Sequence, residues 1–415
     1  MKKNSIKTGL VMIFIIGIIF MLVSTTLVYM LPEDIMKKHI AGDIDQLVEE
    51  KEWPEYVQGY LCTRKDNFTD ALMLNMATQQ QDKQDLAIKR AMRSNLPTYI
   101  PEYTQTVSLK KQIENKEKGD HTLYYRYWHG YQIFLKLLLM VLTYSQIIHL
   151  NGVVLLFLFL LILIKMRKKG IEVKYIISFV FSILLLVPSV IVMNIQYTTM
   201  FYIQFISILA LLKCEKRNIF YIFFITGMAT SFFDLLTTPI LSLGIPLLFM
   251  GLINLELKGI KYLINIIQNT LLWAAGYGLT WMSKWLIASI ILRENVFANA
   301  IEKIFLRTSS NITDGSNIAY LDILQKLSSV YGKKLGLIIL LVMLALLLLG
   351  CISGLVKRNI NIIPLLLIAV MPFVWFYVLK NHSYIHLWFT FRNLEITYLG
   401  IFMIFIQGFW TRRTI

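Results

Sequence analysis

The chain has 415 residues and a formal net charge of +16, yet it is 56% hydrophobic and only 16% charged, with a mean hydropathy of +0.60. A soluble domain carries roughly a quarter charged residues, so these figures exclude one and indicate an integral membrane protein. They exclude a nucleic-acid binder too, since the unbalanced Lys and Arg residues stand in short clusters between apolar segments and are not gathered on one surface with base-reading partners.

Those clusters, from Lys2, Lys3 and Lys7 through Lys165, Arg167, Lys168 and Lys169 to Arg412 and Arg413, orient the chain by the positive-inside bias. A first span, residues 10–31, leads outward; it is too long for a signal peptide and lacks a small-residue cleavage site, which makes it an uncleaved anchor. Residues 32–130 form a large polar outer loop, the kind of insert that carries function. Within it Met36, Ile40, Ile44, Leu47 and Val48 recur at near-helical spacing and predict an amphipathic surface helix, with weaker helical patterns over 71–76 and 86–92. If residues 131–146 crossed the membrane as well as 149–164, the cluster at Lys165–Lys169 and every later one would face outward. The stretch 131–148 is therefore expected as an interfacial helix in the outer leaflet.

From residue 149 the alternation is regular. A second span, 149–164, is followed by hairpins 175–193/199–212 and 220–233/239–253, and by a long span 263–291. An outer loop, 293–334, precedes three last spans, 335–355, 362–379 and 394–409. The prediction is an all-α integral membrane protein of about ten transmembrane helices, with residues 149–410 holding all but the first and both termini in the cytoplasm. This topology separates Cys62, Cys214 and Cys351, so no disulfide framework is expected.

The same topology sends His39, His121, His129, His149, His382 and His386 to the outer side, with Asp66, Asp70, Asp234, Lys284 and Arg392. Ionisable groups at the membrane boundary need a cavity or a partner and by default mark a site. Asp66-Asn67-Phe68-Thr69-Asp70 offers two carboxylates four apart, which a helix brings to one face, or alternatively a helix N-cap. Its Asn67-Phe68-Thr69 also matches a glycosylation acceptor, a pattern common by chance. Tyr124 to Tyr131 reads as an interfacial aromatic belt, which leaves His129 and Gly130 unexplained. Asp234, ahead of Pro239, is either a turn residue or a boundary carboxylate with a role. Lys284, between Trp281 and Trp285, can snorkel to headgroups or meet a lipid phosphate. His382 and His386 share a helix face and form at most half a metal site, since spacing names no third ligand. With Tyr384 and Arg392 beside them, a phosphate-binding surface is the stronger use. No cofactor is identified; a divalent cation is the one the histidine pair leaves open.

One amino-terminal span, a large outer loop with surface helices, and the stretch from Trp128-His129-Gly130-Tyr131 to Lys169, which leads into an interfacial helix and a second span ending in a basic cluster, resemble the GT-C superfamily of multispanning glycosyltransferases. The likeness covers the layout of nearly the whole chain, and its motifs are short. It implies transfer of a sugar from a polyprenyl-phosphate donor to an acceptor outside the membrane, with an acid of the first outer loop as base. That role falls here on Asp66 or Asp70. The chain departs from the family in having no matched acidic pair directly after the first span; Glu33-Asp34 stands there, at the start of the amphipathic helix.

The expected function is thus a bacterial, inverting membrane glycosyltransferase. A carboxylate takes the acceptor's proton, and Arg392, Lys284 and the histidines His129, His382 and His386 hold the phosphate. Its partners are a polyprenyl-phosphate-linked sugar donor, a glycan or lipid-linked acceptor, and membrane lipid. A polysaccharide polymerase is chemically close. A transporter or flippase of lipid-linked sugars needs ionisable groups within the spans and access from both faces, which the sequence offers sparsely. A non-catalytic scaffold leaves the one-sided sorting of histidines as coincidence.

Overall fold

The polar segment 32–130 is built against the bundle by helices whose starts and stops are written locally. The computed structural model describes residues 2–79, 85–98, 104–114, 120–254, 256–311 and 317–410. Glu33–Ala41 buries Met36, Lys37 and Ile40, and Ile44–Glu50 buries Ile44 and Leu47, so the predicted amphipathic helix is two helices sharing one apolar stripe. Gly42 and Asp43 break it, and Asp43 turns its carboxylate away to accept from the Ser145 backbone N–H and hydroxyl at 2.9 and 2.7 Å. Helices Asn67–Thr78, Ala87–Arg93 and Gln105–Ile113 complete the loop, with Leu96–Thr98 paired antiparallel to Asp120–Thr122.

The helix expected over 131–148 is shorter than predicted. It runs Tyr131–Leu139, and a new helix, Tyr144–Lys168, begins where the sequence reading still had the interfacial stretch. The reason is a capping box: the Thr143 hydroxyl accepts from the Gln146 N–H at 3.2 Å, and the Gln146 side chain accepts from the Thr143 N–H at 3.0 Å. The segment expected over 175–193 is also interrupted. Val173–Leu184 stops, Val187 takes a left-handed φ of 56°, and Pro188 opens a four-residue turn of helix, because the residue before proline is disfavoured in helical conformation.

Among the described residues five helices are long and apolar enough to cross a membrane: Ile6–Val28, Tyr144–Lys168, Ile195–Lys213, Lys333–Val356 and Leu387–Phe409. Val173–Leu184, Leu241–Ile253 and Ile362–Val378 are shorter apolar helices, and Gly259–Leu292 is a 34-residue helix between them. The last candidate is 89% buried against 17% for Tyr144–Lys168, which makes the carboxy-terminal helix the hub. It packs on Lys333–Val356, Ile362–Val378, Val173–Leu184 and Leu241–Ile253. Ile219–Phe233 and Gly259–Leu292 cross so closely that a Cβ on Gly227 would lie 2.1 Å from the Trp273 carbonyl oxygen, and one on Gly276 2.2 Å from that of Phe224. Small residues at the crossing are how helices approach where no water drives them together. The outer loop 293–334 carries two helices of its own, Val296–Thr308 and Tyr320–Ser328.

Candidate functional site

The two loop carboxylates are both buried and do different things. Asp70 points at the start of helix Ile195–Lys213 and accepts from the backbone N–H groups of Ile195 and Gln196 at 3.0 and 3.3 Å. It also takes the Tyr144 hydroxyl at 2.8 Å and the Asn194 amide at 3.3 Å. A carboxylate with four donors at a helix N-terminus is a structural clamp, tying loop, second long helix and third in one contact. Burial pushes its carboxyl up and the donors oppose this.

Asp66 is the N-cap of Asn67–Thr78, its two oxygens accepting from the Thr69 N–H and hydroxyl, both at 3.0 Å. Those bonds are local and leave acceptor capacity on both oxygens. Desolvation lifts the Asp66 carboxyl to about 7, the Thr69 bonds lower it, and the neighbouring Asp70 charge raises it again. The indole of Trp388 approaches Asp66 close enough to favour its charged form without completing a hydrogen bond. Of the two carboxylates between which the sequence leaves the choice open, Asp70 is held by four donors from other elements, whereas Asp66 has only the local Thr69 bonds.

Trp388 belongs to the segment joining the last two apolar helices, and this segment is the other half of the site. Arg392, 1% exposed, donates from Nη1 to the Trp388 carbonyl at 2.9 Å and lays its guanidinium 4.2 Å over the Tyr197 ring. Its Nε and Nη2 have no hydrogen bond of good geometry within the protein, and among the described residues no carboxylate pairs with it. Tyr197 lies within electrostatic reach of Asp66, Asp70 and Arg392 together, which fixes the acid and the cation around one ring. Arg64, two residues before Asp66, stacks over Trp388 at 5.3 Å. Unpartnered buried atoms crowd this segment: Asn381 Oδ1, His382 Nδ1, Ser383 Oγ, His386 Nδ1, Thr390 Oγ1, both ends of the Asn393 amide and Glu395 Oε2. Each such atom costs about 1–3 kcal/mol if left dry, so a concentration of them marks a hydrated or ligand-bearing place.

His382 and His386 stack near each other, ring centroids 5.0 Å apart. His382 is bonded through Nε2 to the Leu236 carbonyl at 2.8 Å, and His386 Nε2 meets Arg307 Nη1 at 3.1 Å. Burial holds His382 down to about 3 and His386 well below the usual range, so both are neutral and His386 accepts from Arg307. The His382 bond reaches the turn of Asp234, which accepts from the Thr237 N–H at 3.0 and 3.1 Å and is lifted to about 7 by burial. Asp234 is thus a turn former one step behind the histidines. Tyr384 points elsewhere: its ring carries Lys326 at 4.4 Å and its carbonyl accepts from that lysine.

His129 and Lys284 form a separate cluster and do not join this site. The Lys284 ammonium, fully buried, donates to the carbonyls of Met92 and Ala91 at 3.0 and 3.4 Å and sits 5.7 Å from the Trp128 ring. It caps the C-terminus of Ala87–Arg93, where a cation is favoured, and corrects the expectation that it snorkels or holds phosphate. His129 has a left-handed φ of 55° and bonds the Tyr124 carbonyl at 2.9 Å; burial takes it down to about 3. Gly130 donates to the Phe232 carbonyl at 2.9 Å, and a Cβ there would lie 2.7 Å from that oxygen. The two residues that an aromatic belt left unexplained are therefore the joint between loop and the Asp234 turn. Among the other histidines, His39 bonds the Leu139 carbonyl at 2.7 Å, while the side chain of His121 lies outside the described residues. Among the described residues no three His, Cys, Asp or Glu side chains converge as a metal site would require.

Three clefts surround the Asp66–Arg392 centre without being lined by it. One of about 320 Å³ is bounded by Arg126, Arg307 and five aromatic side chains; one of about 720 Å³ by Lys326 and Tyr384; one of about 480 Å³ by Lys65 and Tyr144. Arg307, Trp388, Arg64, Tyr197 and Glu395 are absent from the sequence-derived site. Glu395 alone carried a signal, an acid inside an apolar segment. No protein-family model, no curated protein and no solved structure matches the chain.

Proposed function

We propose that the chain is a membrane glycosyltransferase of GT-C-like layout, crossing the membrane about ten times with both termini inside, and moving a sugar from a polyprenyl-phosphate carrier to a hydroxyl of an envelope glycan or lipid-linked acceptor outside. The observation that supports it is that Asp66, from the loop 32–130, and Arg392, which has no carboxylate partner among the described residues, both lie near Trp388 and within electrostatic reach of Tyr197. A carboxyl near 7 is a general base matched to neutral pH. An arginine with two free nitrogens suits a departing phosphate. In this reading the acceptor hydroxyl gives its proton to Asp66 as its oxygen bonds the anomeric carbon. The bond from that carbon to the phosphate oxygen breaks, and the phosphate leaves with the electron pair toward Arg392, inverting the centre.

Glu395 and its partner Gln204, joined at 2.7 Å, lie one turn from Arg392. They keep the buried ionisable groups at one end of the hub helix, where a transport route would need them along it. The test is complementation of a deletion strain with Asp66→Asn, followed by analysis of envelope glycans. Restoration of the wild-type glycan by this variant would remove the proposed base.

A further inference from the structure

Helix Ile195–Lys213 carries Tyr197 in its first turn, and Arg392 stands just ahead of helix Leu394–Trp410. The two helices meet largely through Leu241–Ile253, which packs on both, and a direct bond joins them farther along: Gln204 Nε2 donates to Glu395 Oε1 at 2.7 Å. We propose that Glu395 holds a proton and closes with Gln204 a neutral acid–amide ring, which positions Arg392 over Tyr197. The positioning role rests on the proposed transfer and the proton does not, so each can fail alone.

Counting donors leads to the proton. Both side chains are 0% exposed. Gln204 Oε1 and Glu395 Oε2 have no hydrogen-bond partner, although the groups they belong to are already in contact. An ionised carboxylate only accepts, and an amide oxygen also accepts, so with Glu395 charged this contact holds three acceptor oxygens around one donor nitrogen. A protonated carboxyl supplies the missing donor. Its Oε2–H turns to Gln204 Oε1, and the two orphaned atoms satisfy each other. The neighbouring helix leaves little space for a water in that role: a Cβ on Gly244 would lie 2.5 Å from the side chain of Ile396, the residue after Glu395.

No charge nearby compensates an anion. Arg392, one turn back, is engaged with the Tyr197 ring and the Trp388 carbonyl, and Tyr398, one turn on, shares its hydroxyl with Tyr331. Among the helices packed on Leu394–Trp410, Leu241–Ile253 and Ile362–Val378 have no charged residue, while Lys174, Lys333 and Lys334 stand in the first turns of theirs. None of these charges acts on Glu395. A carboxyl buried without a cation takes a proton in preference to staying charged.

The test is infrared spectroscopy of the full chain in dodecyl maltoside at neutral pH, as a difference between the parent and Glu395→Gln. The parent should contribute one protonated-carboxyl C=O stretch that moves on carbon-13 labelling of glutamate, with no carboxylate bands. Gln204→Leu should keep this band and move it to the higher frequency of an unbonded carboxyl, and Asp66→Asn should leave it unchanged, whatever happens to transfer. Glu395→Gln, whose amide can again donate to Gln204, should keep the parent's melting temperature and glycan output. Glu395→Leu, which cannot, should melt lower and lose glycan output per folded molecule about tenfold or more. Carboxylate bands in place of the carboxyl stretch would overturn the proton, as would a Glu395→Gln variant as impaired as Glu395→Leu. Full glycan output from Glu395→Leu would strike the positioning role. If that variant does not accumulate, the spectra of the parent, Glu395→Gln and Gln204→Leu still decide the proton, and rescue by Glu395→Gln decides the role.

Discussion

Replacing Asp66 by Asn should make the protein more stable at alkaline pH while ending its proposed activity. Burial holds the Asp66 carboxyl at about 7 in place of 3.8. Below pH 4 the group is protonated folded or unfolded, and above about 7 it is ionised in both. Between these limits the folded state binds the proton more tightly, so stability declines as pH rises from about 4 to about 7. At 1.36 kcal/mol per pH unit the decline reaches about 4 kcal/mol for this one group. Asn keeps an acceptor oxygen for the Thr69 N–H at the helix start, so the cap survives while the charge does not. His129 and His382, held down to about 3, work in the opposite sense and lose stability as pH falls below 6.5. The unmodified profile therefore mixes both, and the difference between variant and parent isolates Asp66. Thermal unfolding in detergent from pH 4 to 8.5 should show the two coinciding at the acid end and the variant melting a few degrees higher at pH 8. A variant destabilised equally at every pH would show that Asp66 is an ionised structural cap, and the assignment of a base would fall with it.

Asp70→Asn leaves backbone donors facing an amide and should lose about 1–2 kcal/mol at pH 4, with a smaller loss at pH 8 because burial raises this carboxyl too, both seen as melting temperatures in the same assay. Arg392→Gln should abolish transfer while leaving melting unchanged or slightly raised, because a buried cation without a carboxylate partner contributes little to folding; a large loss of stability would reveal a partner. Lys284→Met should cost about 1–3 kcal/mol by stranding the Met92 and Ala91 carbonyls, with activity per folded molecule preserved; a specific loss of kcat at normal stability would return Lys284 to the site.

Helix positions were legible wherever hydrophobic weight and basic clusters did the work, because burial in lipid imposes length and composition directly. The misses share a cause. Asp43 leaving its helix to bind Ser145, the Thr143–Gln146 box, and Val187 before Pro188 are short-range polar events inside apolar surroundings, invisible to a window average. Of the site, the loop acid and the carboxy-terminal cation could be singled out because each is a charge at a membrane boundary. Which of Asp66 and Asp70 was free could not, since the donors that occupy Asp70 come from residues 144 and 194–196.

That distribution of donors carries the argument one step further. Asp70, Lys284 and Asp234 each satisfy a backbone end or turn, and each is matched by the partners it needs. Arg392 Nε and Nη2, the Asn393 amide and Glu395 Oε2 are equally buried and are not matched, and the two Asp66 oxygens are met only by Thr69 at their own helix start. A fold that pairs its buried charges so fully in three places has the means to do so in the fourth, since Arg392 and Asp66 already share Trp388 and Tyr197 as neighbours. An arginine buried without a carboxylate partner costs stability. On the proposed function, the Asp66 carboxyl would take the proton of the acceptor's hydroxyl and the Arg392 guanidinium would meet the negative charge of the donor's departing phosphate.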